Sequence, residues 1–462
     1  MKPSSEQPEP GRPTCVRFGV LAWLCVAAAV SYLSRNAIGV AESTIRSDLR
    51  LTKDQSGFML SAFFVSYAVC QIPGAWLGQR FGARRALPAF AVVWSLATAL
   101  TGGAGFWLLV VARIIKGLAQ AGLFPVSTGV IANWFPKHGQ AFATGALGSF
   151  MSVGGAVTAG LTGWLIVDLG WRWMFVLYGL PGLLWAGWFW IWFRDHPQQH
   201  PAVNAAERQL IRPEAAEAAR VNAGGRPSAA SPHPVRAGHD GTGTAAPTPW
   251  LLLLSSPAMW CICGQQFFRA AGYTFFTSWF ATYLQEARGV TIKGSGMLTM
   301  LPLLAVVAGS LIGGGVSDGI LRRTGSRRLA RQTVAVVSLG LCAILSWSAL
   351  FFANTLSAVL IISAGSFFAA VAGPCGYTIT IDMGGQHIPT VNSVMNMCGN
   401  LGAMLLPLAV PRLLSLTGRW ETVLLSFGAV YIAAALCWWA LKPEGDVFAQ
   451  ALLGKETATT KL

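Results

Sequence analysis

Charge is what this chain of 462 residues has least of: Asp, Glu, Lys and Arg together make up 11% of it, against roughly 25% in soluble domains. With 53% hydrophobic residues and a mean hydropathy of +0.52, a water-soluble fold is excluded. Acids are scarcer than bases, 18 against 33, for a formal net charge of +15. A nucleic-acid binder would gather that excess on one face, whereas here it falls in short loops between apolar runs. The nine cysteines are scattered, and Cys261-Ile262-Cys263 has no partners at metal-ligand spacing, so neither a disulfide framework nor a metal is expected. No nucleophile beside a base and no phosphate-cradling glycine loop is apparent, so the reading is not an enzyme and implies no cofactor. The six histidines fall in loops or tails, which removes them as proton relays within a membrane.

What is present is a succession of apolar stretches long enough to cross about 30 Å of hydrocarbon. A polar tail to about Pro13 leads into a first run reaching roughly Ala41, longer than the ~7–15 apolar residues of a cleaved signal. It is expected to be retained. Five more runs follow, near 56–78, 86–105, 107–133, 140–168 and 173–193. After a long polar interval come six others, near 257–285, 295–320, 332–353, 356–382, 390–416 and 420–442. The expectation is an all-α membrane protein with twelve transmembrane helices in two six-helix bundles, at 15–194 and 249–443. A tail over 1–14, a linker over 195–248 and a second tail over 444–462 complete it. Ala215 to Pro247 is dominated by Ala, Gly, Pro and Ser, too poor in large apolar residues to fold.

Loop charges give the orientation, since Lys and Arg in short loops favour the cytoplasm. Arg80, Arg84 and Arg85 follow the second run, Lys137 the fourth, Arg194 the sixth, and Arg322, Arg323, Arg327, Arg328 and Arg331 the eighth. Both termini are therefore expected to be cytoplasmic, in a plasma (inner) membrane.

Against this apolar background three arginines stand out: Arg35 in the first run, Arg113 in the fourth and Arg269 in the seventh. An arginine at membrane depth costs about 2.5–3.5 kcal/mol on insertion scales and is tolerated mainly where it faces a bundle interior or watery cavity. Its planar fork of donors matches a carboxylate or phosphate and keeps its charge. The structural alternative is that the long side chains snorkel or pair with backbone carbonyls. Helical spacing adds polar neighbours: Tyr32 three before Arg35, Tyr67 with Gln71, Tyr273 four after Arg269, and Asn396 with Asn400. These could meet substrate hydroxyls, or serve as packing and helix-to-helix glue. Ala156, Gly160, Gly163, Gly309 and Gly313 follow close-packing spacing, and Trp171 and Trp173 read as interfacial anchors.

An internal repeat joins the halves. Gly74-Ala75-Trp76-Leu77-Gly78-Gln79-Arg80-Phe81-Gly82-Ala83-Arg84-Arg85 follows the second run, and Gly314-Gly315-Val316-Ser317-Asp318-Gly319, leading to Gly325-Ser326-Arg327-Arg328, follows the eighth. This resembles the loop signature of the major facilitator superfamily over about Arg17 to Lys442, which implies pseudo-symmetric bundles with a central site. Gln79, Arg80, Arg84, Asp318 and Arg327 are the corresponding gating-loop positions. Gln79 stands where the signature has the acid that Asp318 supplies in the second half.

Within the superfamily, several stretches resemble the anion:cation symporter family of hexuronate, aldonate and aldarate carriers and vesicular glutamate transporters. They are Tyr32-Leu33-Ser34-Arg35; Arg113 to Gln120 with Phe124-Pro125 and Trp134-Phe135-Pro136; Gly170-Trp171-Arg172-Trp173; and Arg194-Asp195-His196-Pro197 with His200-Pro201-Ala202-Val203-Asn204 and Glu207. The resemblance implies a carrier of small organic anions working as a monomer by alternating access. Arg35 and Arg113 would take a carboxylate and Arg269 a second negative group. Proton-coupled members usually carry an acid immediately before the first arginine and a Glu seven after the second; here those positions are Ser34 and Gln120. Glu42, Asp168, Asp318 and Asp382 fall at expected helix ends, so facilitated diffusion or exchange is expected. Two other readings stay open: an organophosphate:phosphate antiporter, with Arg269 about one turn out of register, and a transporter-like anion sensor.

Overall fold

The computed structural model describes residues 12–103, 105–211 and 249–448, which are helical almost throughout. In chain order the spanning helices are α1 (Val16–Asp48), α2 (Lys53–Phe81), α3 (Ala83–Gly102) and α4 (Phe106–Trp134). A continuous stretch, Lys137–Trp192, leaves helical geometry at Gly170, where φ is 76° and ψ 156°. Only a residue without Cβ adopts that conformation cheaply, so the stretch is two helices, α5 (137–169) and α6 (171–192). In the second half α7 (257–288) is interrupted at Trp279 between Pro257–Ser278 and Phe280–Arg288. It is followed by α8 (Ile292–Thr324), α9 (Arg328–Phe351), α10 (Thr355–Met383), α11 (Ile388–Thr417) and α12 (Trp420–Ala440). Among the described residues these twelve spanning helices form two bundles, α1–α6 and α7–α12, with a short helix, Trp250–Ser255, before the second.

The helices form because their apolar residues can satisfy backbone groups only within the helix once water is excluded. Their outer faces carry large exposed hydrophobics, among them Trp107, Leu184, Ile191 and Trp439, which suit lipid. The inner faces pack Trp94, Trp134, Phe189 and Phe193 in the first bundle and Phe275, Phe280, Phe427 and Trp438 in the second.

Two expectations change. The interval 195–248 is ordered at its start: the helix Ala205–Ile211 places Glu207, fully buried, against the beginning of α1. The Glu207 carboxylate accepts hydrogen bonds from the backbone N–H groups of Val16 (3.0 Å) and Arg17 (3.1 Å), from the Thr14 hydroxyl, and from the Arg17 guanidinium (3.2 Å). Cys15 offers no side-chain cap, so a residue almost 200 positions away satisfies the orphan donors of α1. Ala215 to Pro247 and most of the tails over 1–14 and 444–462 lie outside the described residues. Glu207→Ala is expected to destabilise the carrier by about 1.5–3 kcal/mol, the range for hydrogen bonds to a charged group. A lower melting temperature in detergent would register it, with Glu207→Gln in between.

The second correction concerns Glu42. The first helix does not stop near Ala41 but runs to Asp48, so Glu42 lies inside it with no exposed surface. It pairs with Arg46 one turn on (2.8 Å) and accepts a hydrogen bond from Thr282 of the other bundle (2.7 Å). Contacts across the bundle interface cluster at this end. Arg46 and Lys53 both pair with Glu286, which also accepts from the Trp420 indole, and Ser43 donates to Gln285. Backbones meet where side chains vanish: a Cβ on Gly39 would come within 2.0 Å of the Thr277 carbonyl, and one on Gly57 within 2.4 Å of that of Pro407. Ser61 donates to the Met404 carbonyl, extending the seal along α2 and α11.

Candidate substrate site

The site begins one helical turn below that seal, where α1, α2 and α4 meet. Arg35 carries its guanidinium among four rings, with Cζ 4.6 Å from the Phe63 centroid, 4.9 Å from Tyr67, and 5.1 Å from both Tyr32 and Phe64. The negative ring faces hold the cation without using its N–H groups. Among the described residues Arg35 makes no side-chain hydrogen bond or ion pair, so its five donors remain for another partner. Arg35 lines a cavity of ≈ 10 Å³ with Ser31, Tyr32, Tyr67 and Gln120, closed by Leu123, Phe124 and Met151. That is room for about one water molecule.

Arg113 is placed differently. It is fully enclosed and donates to the carbonyls of Arg35 (3.4 Å) and Leu60 (3.3 Å), and its Cζ lies 4.8 Å from the same Phe63 ring. It thus stands behind the α1 backbone rather than beside Arg35 in the cavity wall. Lys116, three residues along α4 and equally buried, donates to the Ser34 carbonyl at 3.1 Å. Its spacing from Arg113 was the available signal for it. Arg113, a guanidinium with only carbonyl acceptors, makes this wall positive, which draws anions.

Ser34 and Gln120 meet. The Gln120 amide donates to the Ser34 hydroxyl (3.1 Å) and the Ser31 carbonyl (3.0 Å), and Ser34 donates to Ser31 as well (2.9 Å). Neither side chain holds a proton that titrates in the physiological range. The contact is neutral.

Across the interface, Arg269 on α7 donates from Nε (3.2 Å) and Nη2 (2.9 Å) to Oε1 of Gln266, one turn before it. Gln266 is a site neighbour that only its three-residue spacing from Arg269 could have suggested. Arg269 also lies against Gly373 of α10, where a Cβ would sit 3.6 Å from Nη1. Tyr273, one turn after Arg269 on α7, is partly buried and packs against the apolar core. Tyr67 stacks on Phe63 and lies against the Arg35 guanidinium. Asn400 instead donates to the Asn396 carbonyl of its own helix at 3.0 Å, as helix-internal glue.

The gating-loop positions make their contacts within each bundle. Arg84 donates from its backbone N–H to Asp195 (3.0 Å) and from Nε to the Trp190 carbonyl (3.2 Å). Arg80 lies over Trp76, and Gln79 is exposed. In the second half Asp318 and Asp382 share Arg331, at 2.9 and 3.4 Å, while Arg327 donates to the Asp382 carbonyl (3.2 Å). In the sequence Arg331 and Asp195 read only as loop charge and motif.

Comparison with known proteins bears on what this arrangement belongs to. The sequence profile of the Major Facilitator Superfamily matches residues 24–331 and 323–459. The probable sulfoacetate transporter SauU of Cupriavidus necator is 31% identical over 91% of this chain and 92% of its own. The probable galactarate/D-glucarate transporter GudP of Escherichia coli is 29% identical over 94% of each chain, and the hexuronate transporter of Bacillus subtilis 26% over 91% and 93%. Among solved structures, a bacterial homologue of the human lysosomal transporter Spinster, inward-facing and occupied, superposes with a TM-score of 0.65 over 96% of this chain and 97% of that one, at 18% identity. The chain therefore belongs to the Major Facilitator Superfamily, among its transporters of small organic anions.

Proposed function

We propose that this protein carries small organic anions bearing two negative ends, sugar diacids or sulfonated carboxylates, by facilitated diffusion or exchange rather than proton symport. The observation that carries the reading is the pair of cationic centres on opposite bundles, Arg35 among its four rings and Arg269 beside Gln266. A dianion placed between them joins the bundles; a monoanion satisfies one side only. The relatives named as a probable sulfoacetate transporter and a probable galactarate/D-glucarate transporter agree with such a substrate. Arg113 supplies positive potential behind Arg35. Tyr32, Tyr67, Gln71 and Gln120 offer polar atoms to the remainder of the substrate, while Asn400 spends its amide on the Asn396 carbonyl within α11. The neutral Ser34–Gln120 contact supports transport without a proton at that pair, while the buried Glu42 carboxylate is held at the seal by Arg46 and Thr282.

The loop arginines support cytoplasmic termini in the plasma (inner) membrane, and then the sealed end faces outward. It functions as a monomer whose halves rock about the bound anion. The domain plan of two bundles, a tether and two tails follows the same reading.

Uptake of labelled sulfoacetate, galactarate, galactonate, glucuronate and a sugar phosphate into proteoliposomes, with and without a proton gradient, is the direct test. Diacid or sulfoacetate uptake indifferent to the gradient is expected. Stimulation by an inward proton gradient would overturn the coupling, preference for the sugar phosphate would overturn the substrate class, and saturable binding without uptake would favour a sensor. Gln120→Glu combined with Ser34→Asp is expected to make uptake rise several-fold with an imposed gradient, because the pair then carries titratable protons beside Arg35.

A further inference from the structure

We propose that Phe63 is a positioning residue of the anion site, its ring holding two guanidinium groups so that Arg35 faces the cavity while Arg113 stays behind it. The proposal rests on the transport reading above. Two like charges on adjacent helices repel, and the acceptors of Arg113 are carbonyls rather than a carboxylate. The Phe63 ring is in contact with both, 4.6 Å from Arg35 Cζ and 4.8 Å from Arg113 Cζ, and is itself fully buried. A ring's negative face attracts a cation, and more strongly where water is excluded.

The ring is held from other sides. Tyr67 stacks on it with centroids 5.5 Å apart at 22°, Phe64 meets it edge-on at 5.4 Å, and Ala403 and Met404 of α11 join the same apolar cluster. Fixed in this way, it orients Arg35 while leaving every N–H of that guanidinium for the substrate. A leucine or methionine there would fill the space and lose the attraction. Tyrosine keeps the ring face.

Phe63→Leu and Phe63→Tyr are compared in proteoliposomes, using whichever organic anion the wild type carries. Phe63→Leu is expected to raise KM about ten-fold or more while Vmax stays within about two-fold, the pattern of lost positioning rather than lost folding. Phe63→Tyr stays near wild type. A second readout needs no transported substrate: the rate at which phenylglyoxal modifies Arg35, mapped by mass spectrometry, rises several-fold in Phe63→Leu and not in Phe63→Tyr. If the leucine variant does not fold, Phe63→Met is read in its place. Wild-type KM and Arg35 reactivity in the leucine variant would overturn the proposal, as would a tyrosine variant as impaired as leucine. Should the wild type carry no organic anion, the transport reading fails on its own, and the reactivity comparison still decides the role of Phe63.

Discussion

Arg35→Lys is expected to lower organic-anion uptake by two orders of magnitude or more, although it preserves the charge. The guanidinium lies flat among four rings at 4.6–5.1 Å and directs a planar set of donors at the cavity. Lysine offers a compact ammonium with three donors and no plane to stack, so both the ring contacts and a bidentate grip on a carboxylate or sulfonate are lost. A charge-assisted bidentate interaction together with desolvated ring contacts is worth on the order of 3 kcal/mol, about a hundred-fold. Initial uptake rates and the binding constant of the same anion, measured on Arg35→Lys and Arg269→Lys, check it. Binding retained in the Arg35 variant would show that Arg113, not Arg35, meets the substrate.

The second large effect lies at the sealed end. Glu286→Ala removes the common partner of Arg46, Lys53 and the Trp420 indole, leaving Arg46 with Glu42 and Lys53 with none of these carboxylates. Glu286 is partly exposed, its side chain at 27% accessibility, so each pair is worth only about 0.5–1 kcal/mol after solvent screening. The network as a whole then holds this end closed by on the order of 2 kcal/mol, roughly thirty-fold in the closed-to-open ratio. Spin labels at Asp54 and Ala287, exposed on the two sides of the seal, in a chain with its native cysteines replaced, are expected to show a longer-distance population in Glu286→Ala. An unchanged distribution would mean that the backbone contacts at Gly39 and Gly57 keep the end shut by themselves.

Glu42 explains why part of this was not legible in the sequence. The first apolar run ends at Ala41 by hydropathy, and an acid next to it reads as a helix end. Backbone hydrogen bonding does not stop where hydropathy does, and Arg46 and Thr282 make the buried carboxylate tolerable. Only the approach of the second bundle supplies Thr282. Glu207 is a similar case: a charged residue in a polar interval became the cap of a helix far away in sequence. In both, the missing information was a partner from a distant part of the chain.

The arginines divide along the same line. That Arg35, Arg113 and Arg269 are embedded follows from their flanks, because a charge inside a 20-residue apolar run has to lie at membrane depth. What satisfies each does not follow. Arg113 uses carbonyls, Arg269 a glutamine one turn away, and Arg35 four rings. Phe63 and Phe64 were invisible as site residues since a phenylalanine in a spanning helix reads the same whether it faces lipid or a guanidinium.

The sequence by itself determined the membrane class, the twelve spanning helices, the two-bundle repeat and the superfamily, because hydropathy, glycine-arginine loop motifs and helical length are local properties. Tertiary structure alone decided which cation reaches the cavity, which carboxylates bridge the bundles and what holds Arg35. Those outcomes depend on contacts between residues 28 to about 240 positions apart, such as Phe63 with Arg35 and Thr282 with Glu42, whose energies are fixed only when the helices pack.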